Sequence, residues 1–114
     1  MDAAQVREAL QRDQSVTLTQ REELRRDLVE VFAAAADVAT DDEHDPEGAT
    51  IAYERSRTTA LIEQADAHLD EIAHALERLD AGTYGTCVEC GGAIAEERLQ
   101  ARPAVRTCIT CASR

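Results

Sequence analysis

Cys87 and Cys90 are separated by two residues, as are Cys108 and Cys111, and seventeen residues lie between the pairs. Thiolates bind soft and borderline metals. Tetrahedral zinc takes four of them at about 2.3 Å. A two-residue gap lets a tight knuckle aim two sulfurs at one point, and the long gap lets a second knuckle return to it. Two disulfides or a redox dithiol pair are the competing chemistries, but paired cysteines in a reducing compartment more often hold metal. The expectation is one structural zinc on Cys87, Cys90, Cys108 and Cys111. Four thiolates fill the coordination sphere and leave no place for an activated water, so the chain is not expected to be an enzyme. Nothing else in the sequence suggests one. The three serines, at 15, 56 and 113, lack a neighbouring His–acid pattern, and no phosphate-cradling glycine loop is present.

The knuckles need elements to hold them. Gly91 and Gly92 follow the first pair and suit the backbone angles that turn amides toward sulfur. Upstream, Asp80 to Gly85 ends a helix, with Gly82 fitting a left-handed cap. That helix carries Ile62, Ala65, Leu69, Ile72, Leu76 and Leu79 in alternating steps of three and four, the seam of a coiled coil. Extended backward, the seam meets Ile51, Arg55 and Thr58 and becomes polar. Residues 49–80 make a helix of about 32 residues, roughly 48 Å long. A first seam runs through Leu24, Leu28, Val31, Ala35 and Val38. Leu10 and Thr17 share its seven-residue register, which favours one helix from about residue 3 over a restart at a Thr19–Glu22 capping box. Asp41 to Gly48 separates the seams, with Pro46 and Gly48 expected to stop helices.

The fold class is therefore mostly α: a long antiparallel coiled-coil hairpin over residues 1–80, with an acidic tip at 41–48, followed by a small four-cysteine module over 81–114. In the hairpin, residues near Val31 and Val38 are expected to face residues near Ile62 and Ile51. His68 and His74 fall off the seam and are expected to be solvated. His44 lies in the acidic loop.

Composition narrows the partners. Net charge is −11, and residues 41–80 carry twelve acids against three arginines. Such a chain is repelled by phosphate backbones, so no direct nucleic-acid contact is expected; a basic protein groove or a bound metal suits it better. No apolar run approaches a membrane span, and the start Met1-Asp2-Ala3-Ala4-Gln5 lacks signal-peptide character. A cytoplasmic monomer with no membrane contact is expected.

Gly82-Thr83-Tyr84-Gly85-Thr86-Cys87-Val88-Glu89-Cys90-Gly91, Arg98-Leu99-Gln100-Ala101-Arg102-Pro103 and Cys108-Ile109-Thr110-Cys111 together resemble the zinc finger of the DksA/TraR family of bacterial transcription regulators. The resemblance implies a coiled coil joined to a globular zinc module. It also implies direct binding to core RNA polymerase through the secondary channel, without promoter contact, with the tip near the catalytic magnesium. The tip residues it points to are Asp42, Asp45, Glu47 and Thr50. Asp45 with Pro46 matches the start of the family tip. Gly48 stands where a second aspartate would be, and Thr50 replaces an alanine. Asp42 and Asp45 are also three apart. The sequence ends three residues after Cys111, so the family's C-terminal helix is expected to be lacking. The alternative is a zinc-stabilised adaptor whose acidic hairpin docks on another basic protein.

Overall fold

Alanine, leucine and long charged residues favour helix, and two long helices dominate the computed structural model, which describes residues 2–37 and 46–114. Helix α1 runs Ala3–Asp37 and α2 runs Pro46–Ala81. Two short helices follow, α3 (Glu96–Ala101) and α4 (Ile109–Ala112). No strand forms among the described residues; Thr86 and Ala93 make an isolated antiparallel bridge.

Helix α1 is continuous through Ser15–Thr19, and the Thr19–Glu22 box is not used as a start. Thr17 explains why. It is buried in the register set by Leu10 and Leu24, so a break there would remove a packed residue from the seam. Pro46 and Gly48 depart from expectation. Neither stops a helix: Pro46 opens α2 and Gly48 lies in its first turn. Proline's missing N–H would be unsatisfied at a first helical position anyway, and its fixed φ already suits the helix.

At its far end α2 closes on Gly82, whose φ is +78°. The Thr83 amide donates to the Arg78 carbonyl at 2.9 Å and the Gly82 amide to the Leu79 carbonyl at 3.3 Å, the paired bonds of a Schellman cap. A Cβ at Gly82 would meet nothing within 4 Å, so Gly82→Ala tests backbone conformation alone. It should cost about 1 kcal/mol, read as a lowered midpoint in urea. No change would mean that the positive φ is not required.

The chain packs as two compact units. One comprises Thr17–Ala67, and the other Met1–Val16 with His68–Arg114. These units are defined by packing, whereas the change at residue 80 is one of composition.

In the Thr17–Ala67 unit the two helix segments are antiparallel. Arg21 Nη1 meets Asp66 Oδ1 at 2.9 Å, and the Arg55 guanidinium lies 5.9 Å from the centre of the Phe32 ring. Between those contacts α1 advances eleven residues and α2 retreats eleven. Leu24, Leu28, Val31, Ile51, Thr58 and Ile62 are half-buried on the seam and Ala65 is buried. This spacing sets Val31 beside Arg57 and Thr58, about one turn from the Ile62 expected opposite it. Seam periodicity repeats every seven residues and cannot distinguish neighbouring turns; the cross-helix side chains do. Val38 lies outside the described residues.

In the other unit the seam thickens. Val6 and Leu10 of α1 pack with Ile72 and Ala75 of α2 and with Ala104 from the cysteine-bearing segment. Ala75 is off the seam yet fully buried, because a third layer covers that flank of α2. A second cluster gathers Cys87, Ile94, Leu99 and Cys111. Tyr84 packs against both clusters and donates its hydroxyl to the Pro103 carbonyl at 2.7 Å. Burial raises the Tyr84 pKa, with Arg78 opposing.

Candidate metal centre

The first knuckle is built by backbone. The Cys87 amide donates to the Gly92 carbonyl at 2.8 Å, and the Gly91 amide to the Cys87 carbonyl at 2.9 Å. Gly91 takes a φ of +74° to make that turn. Gly92 does not need glycine's angles. It donates its amide to Cys90 Sγ at 3.4 Å, and an added Cβ would also lie 3.4 Å from that sulfur. The second knuckle starts α4. Cys108 caps the helix, its sulfur accepting from the Cys111 amide at 3.5 Å.

The two knuckles are tied together. The Val88 amide donates to the Arg106 carbonyl at 2.9 Å. Arg98 Nε donates to the Thr107 carbonyl at 3.0 Å, which holds α3 against the segment entering the second pair. Leu99 of α3 is buried beneath the cysteines. The seventeen-residue interval is therefore occupied by a helix and its return.

All four sulfurs lie within 4.8 Å of one another. Cys90 and Cys108 sulfurs are 3.8 Å apart. A tetrahedron with metal–sulfur bonds of about 2.3 Å has an edge of about 3.8 Å, whereas a disulfide needs about 2.05 Å. All four cysteines are free, and the spacing is that of a metal site. Amides of Cys90 and Cys108 hold the Cys87 thiol down to about 6. The Cys108 sulfur beside it, together with burial, pushes Cys111 up to about 12. Thiols this close cannot all ionise unaided, and a divalent cation supplies the missing positive charge. One structural zinc fits the donor set, the spacing and the charge. Cys87, Cys90, Cys108 and Cys111 would hold it, and no coordination position would stay open for substrate.

The remaining expected site residues are less gathered. Asp42 and Asp45, with His44, lie outside the described residues, as does the Glu47 side chain. Thr50 is exposed in the second turn of α2. His74 is exposed, but His68 is not the solvated side chain expected. Its Nε2 lies 2.8 Å from Asp13 Oδ2 and its Nδ1 3.6 Å from Glu71 Oε2. His68 precedes the seam residue Leu69, and that flanking position reaches across to α1. Only a fixed register would have shown the partner in advance.

Residues 82–114 match the prokaryotic dksA/traR C4-type zinc finger. Among solved structures, transcription factor DksA2 from Pseudomonas aeruginosa superposes with a TM-score of 0.53 at 34% identity, covering 100% of this chain and 88% of that one. The chain belongs to the DksA/TraR family. The DnaK suppressor protein from Agrobacterium tumefaciens C58 is similar to the same extent, with a TM-score of 0.54, 32% identity, and coverage of 99% and 93%. Two curated relatives align over shorter stretches. Uncharacterized protein YteA of Bacillus subtilis (strain 168) is 41% identical over 66 residues, 58% of this chain but 28% of its own length. An uncharacterized protein of Aquifex aeolicus (strain VF5) is 52% identical over 46 residues, 40% of this chain and 32% of its own. This chain thus matches about a third or less of each of those two proteins. No helix among the described residues is long and apolar enough to cross a membrane.

Proposed function

We propose that this chain is a non-enzymatic transcription regulator of the bacterial cytoplasm. It binds core RNA polymerase directly as a monomer, enters the secondary channel, and makes no promoter contact. The observation that carries the reading is the closed four-sulfur module following an antiparallel helical hairpin, in a family one of whose solved members is a transcription factor. A closed site supports structure rather than turnover. The acidic hairpin disfavours DNA and favours a cation-rich protein channel.

The reading divides labour along the chain. Residues 81–114, with zinc on Cys87, Cys90, Cys108 and Cys111, and the packed part of the hairpin in residues 1–80 supply affinity. The tip at 41–48 acts at the polymerase active site. Asp45 is the first residue to test, because Pro46 restricts the backbone beside it; Asp42 is second, then Glu47 and Thr50.

Capture of purified core polymerase by the zinc-loaded chain, with and without promoter DNA, tests the partner. Equal capture is expected in both; no capture would leave the adaptor for another basic protein. Replacing Asp42 and Asp45 together by Asn keeps size and removes charge. The double variant should bind core polymerase within about threefold of wild type, a difference worth under about 1 kcal/mol, and should lose its effect on transcription in a purified assay. If binding collapses while the bound fraction still regulates, the tip is a docking site and the division of roles is wrong.

A further inference from the structure

An open groove of about 560 Å³ lies between α3 and the start of α4. Ala93, Ala95, Ala101 and Ile109 contribute its apolar surface, and Arg98 and Arg102 its positive charge, with Glu97 as the opposing carboxylate. Ile109 follows the first cysteine of its pair and is 64% exposed, so its apolar surface is open to a ligand in the groove. Arg98, a lining residue of the groove, is held by its Nε bond to the Thr107 carbonyl. Arg102 is exposed. Charge is split along the chain in the same sense. Residues 81–114 carry four arginines against three acids, and residues 1–80 carry eight against twenty.

We propose that this groove binds an acidic segment of a protein partner that also presents apolar side chains. The apolar groups pack on Ile109 and the alanines. Carboxylates meet Arg98 and Arg102, whose planar guanidinium groups match them in paired hydrogen bonds. A nucleic acid fits less well, since the chain as a whole carries −11 and the alanine floor offers no aromatic face on which a base could stack. The site is opposite in sign to the hairpin tip, so it extends recognition to a second kind of surface. It does not depend on polymerase being the partner.

The test is selection from a random linear peptide library on the zinc-loaded full chain, followed by synthesis of the enriched peptides. Acidic residues interleaved with apolar ones should be enriched. The peptides should shift the amide resonances of Ala93, Ala101 and Ile109. Arg102→Glu and Ile109→Ser should each weaken binding about tenfold while retaining one zinc, and selection on Arg102→Glu should lose the acidic preference. Resonance mapping on the unsubstituted chain decides the matter if either variant loses its metal. Peptides without acid enrichment, shifts confined to other surfaces, or full displacement by inorganic phosphate at equal concentration would each overturn the proposal, the last by reducing the groove to a bare anion site.

Discussion

Removing zinc with a chelator is expected to unfold residues 87–111 while α1 and α2 stay largely helical. The apolar cluster around the cysteines buries only Ile94 and Leu99 besides Cys87 and Cys111, with Tyr84 and Val105 partly buried against it. So small a cluster does not offset the entropy of ordering that segment. In modules of this kind metal binding is folding energy, on the order of 10 kcal/mol. Cys108→Ser should have the same effect. It removes one donor, and it also removes the sulfur that caps α4 and accepts the Cys111 amide. Elemental analysis of the protein prepared under reducing conditions should find one zinc per chain, and close to none in the variant. Amide exchange should show protection lost at Cys87, Gly91 and Ile94, whose amides bond within the module, and kept along the hairpin. Because each thiol must release its proton to bind, apparent zinc affinity should fall as pH is lowered. Protection of the 87–111 amides in the metal-free protein would refute a zinc-dependent fold.

The cysteine cluster and the buried face of α2 were readable from the sequence because each rests on a short-range rule. Two-residue cysteine gaps set the knuckles. Alternating steps of three and four set the buried face of α2, where Ala65 and Ile72 are buried and Leu69, Leu76 and Leu79 half-buried. Gly82 was legible because only a left-handed cap makes glycine valuable there. What the sequence could not convey depends on contacts between distant residues. Seven-residue periodicity is unchanged by sliding one helix past the other, so the neighbours of Val31 were placed about one turn off. The partner of His68 depends on that same register. Pro46 was misread because proline both stops a helix and starts one, and local sequence does not say which. Ala75 and Ala104 carry no pattern at all. They are buried because the cysteine module lies across the base of the hairpin, and Tyr84, the chain's one half-buried aromatic, belongs to both clusters.

Burial makes Ile72, with Leu10, one of the two most sensitive seam positions. Its side chain is 0% exposed, packed with Val6, Leu10, Ala75 and Ala104. Ile72→Asp would place a carboxylate among those groups with no cation to receive it. Partial exposure lets a carboxylate at Leu69 lean into water, and His74 is already exposed. The expected losses therefore fall in order: about 4 kcal/mol or more for Ile72→Asp, a smaller penalty for Leu69→Asp, and under about 1 kcal/mol for His74→Asp. Urea midpoints of the three zinc-loaded variants measure the series. Zinc content adds an independent readout. The ligands and the Ile94–Leu99 cluster lie outside the Ile72 cluster, and only Tyr84 joins the two, so Ile72→Asp should lower the midpoint while keeping one zinc per chain below it. If His74→Asp cost as much as Ile72→Asp, the buried face of α2 would be wrongly assigned. If Ile72→Asp instead released the metal in the absence of denaturant, the two clusters would be a single cooperative core.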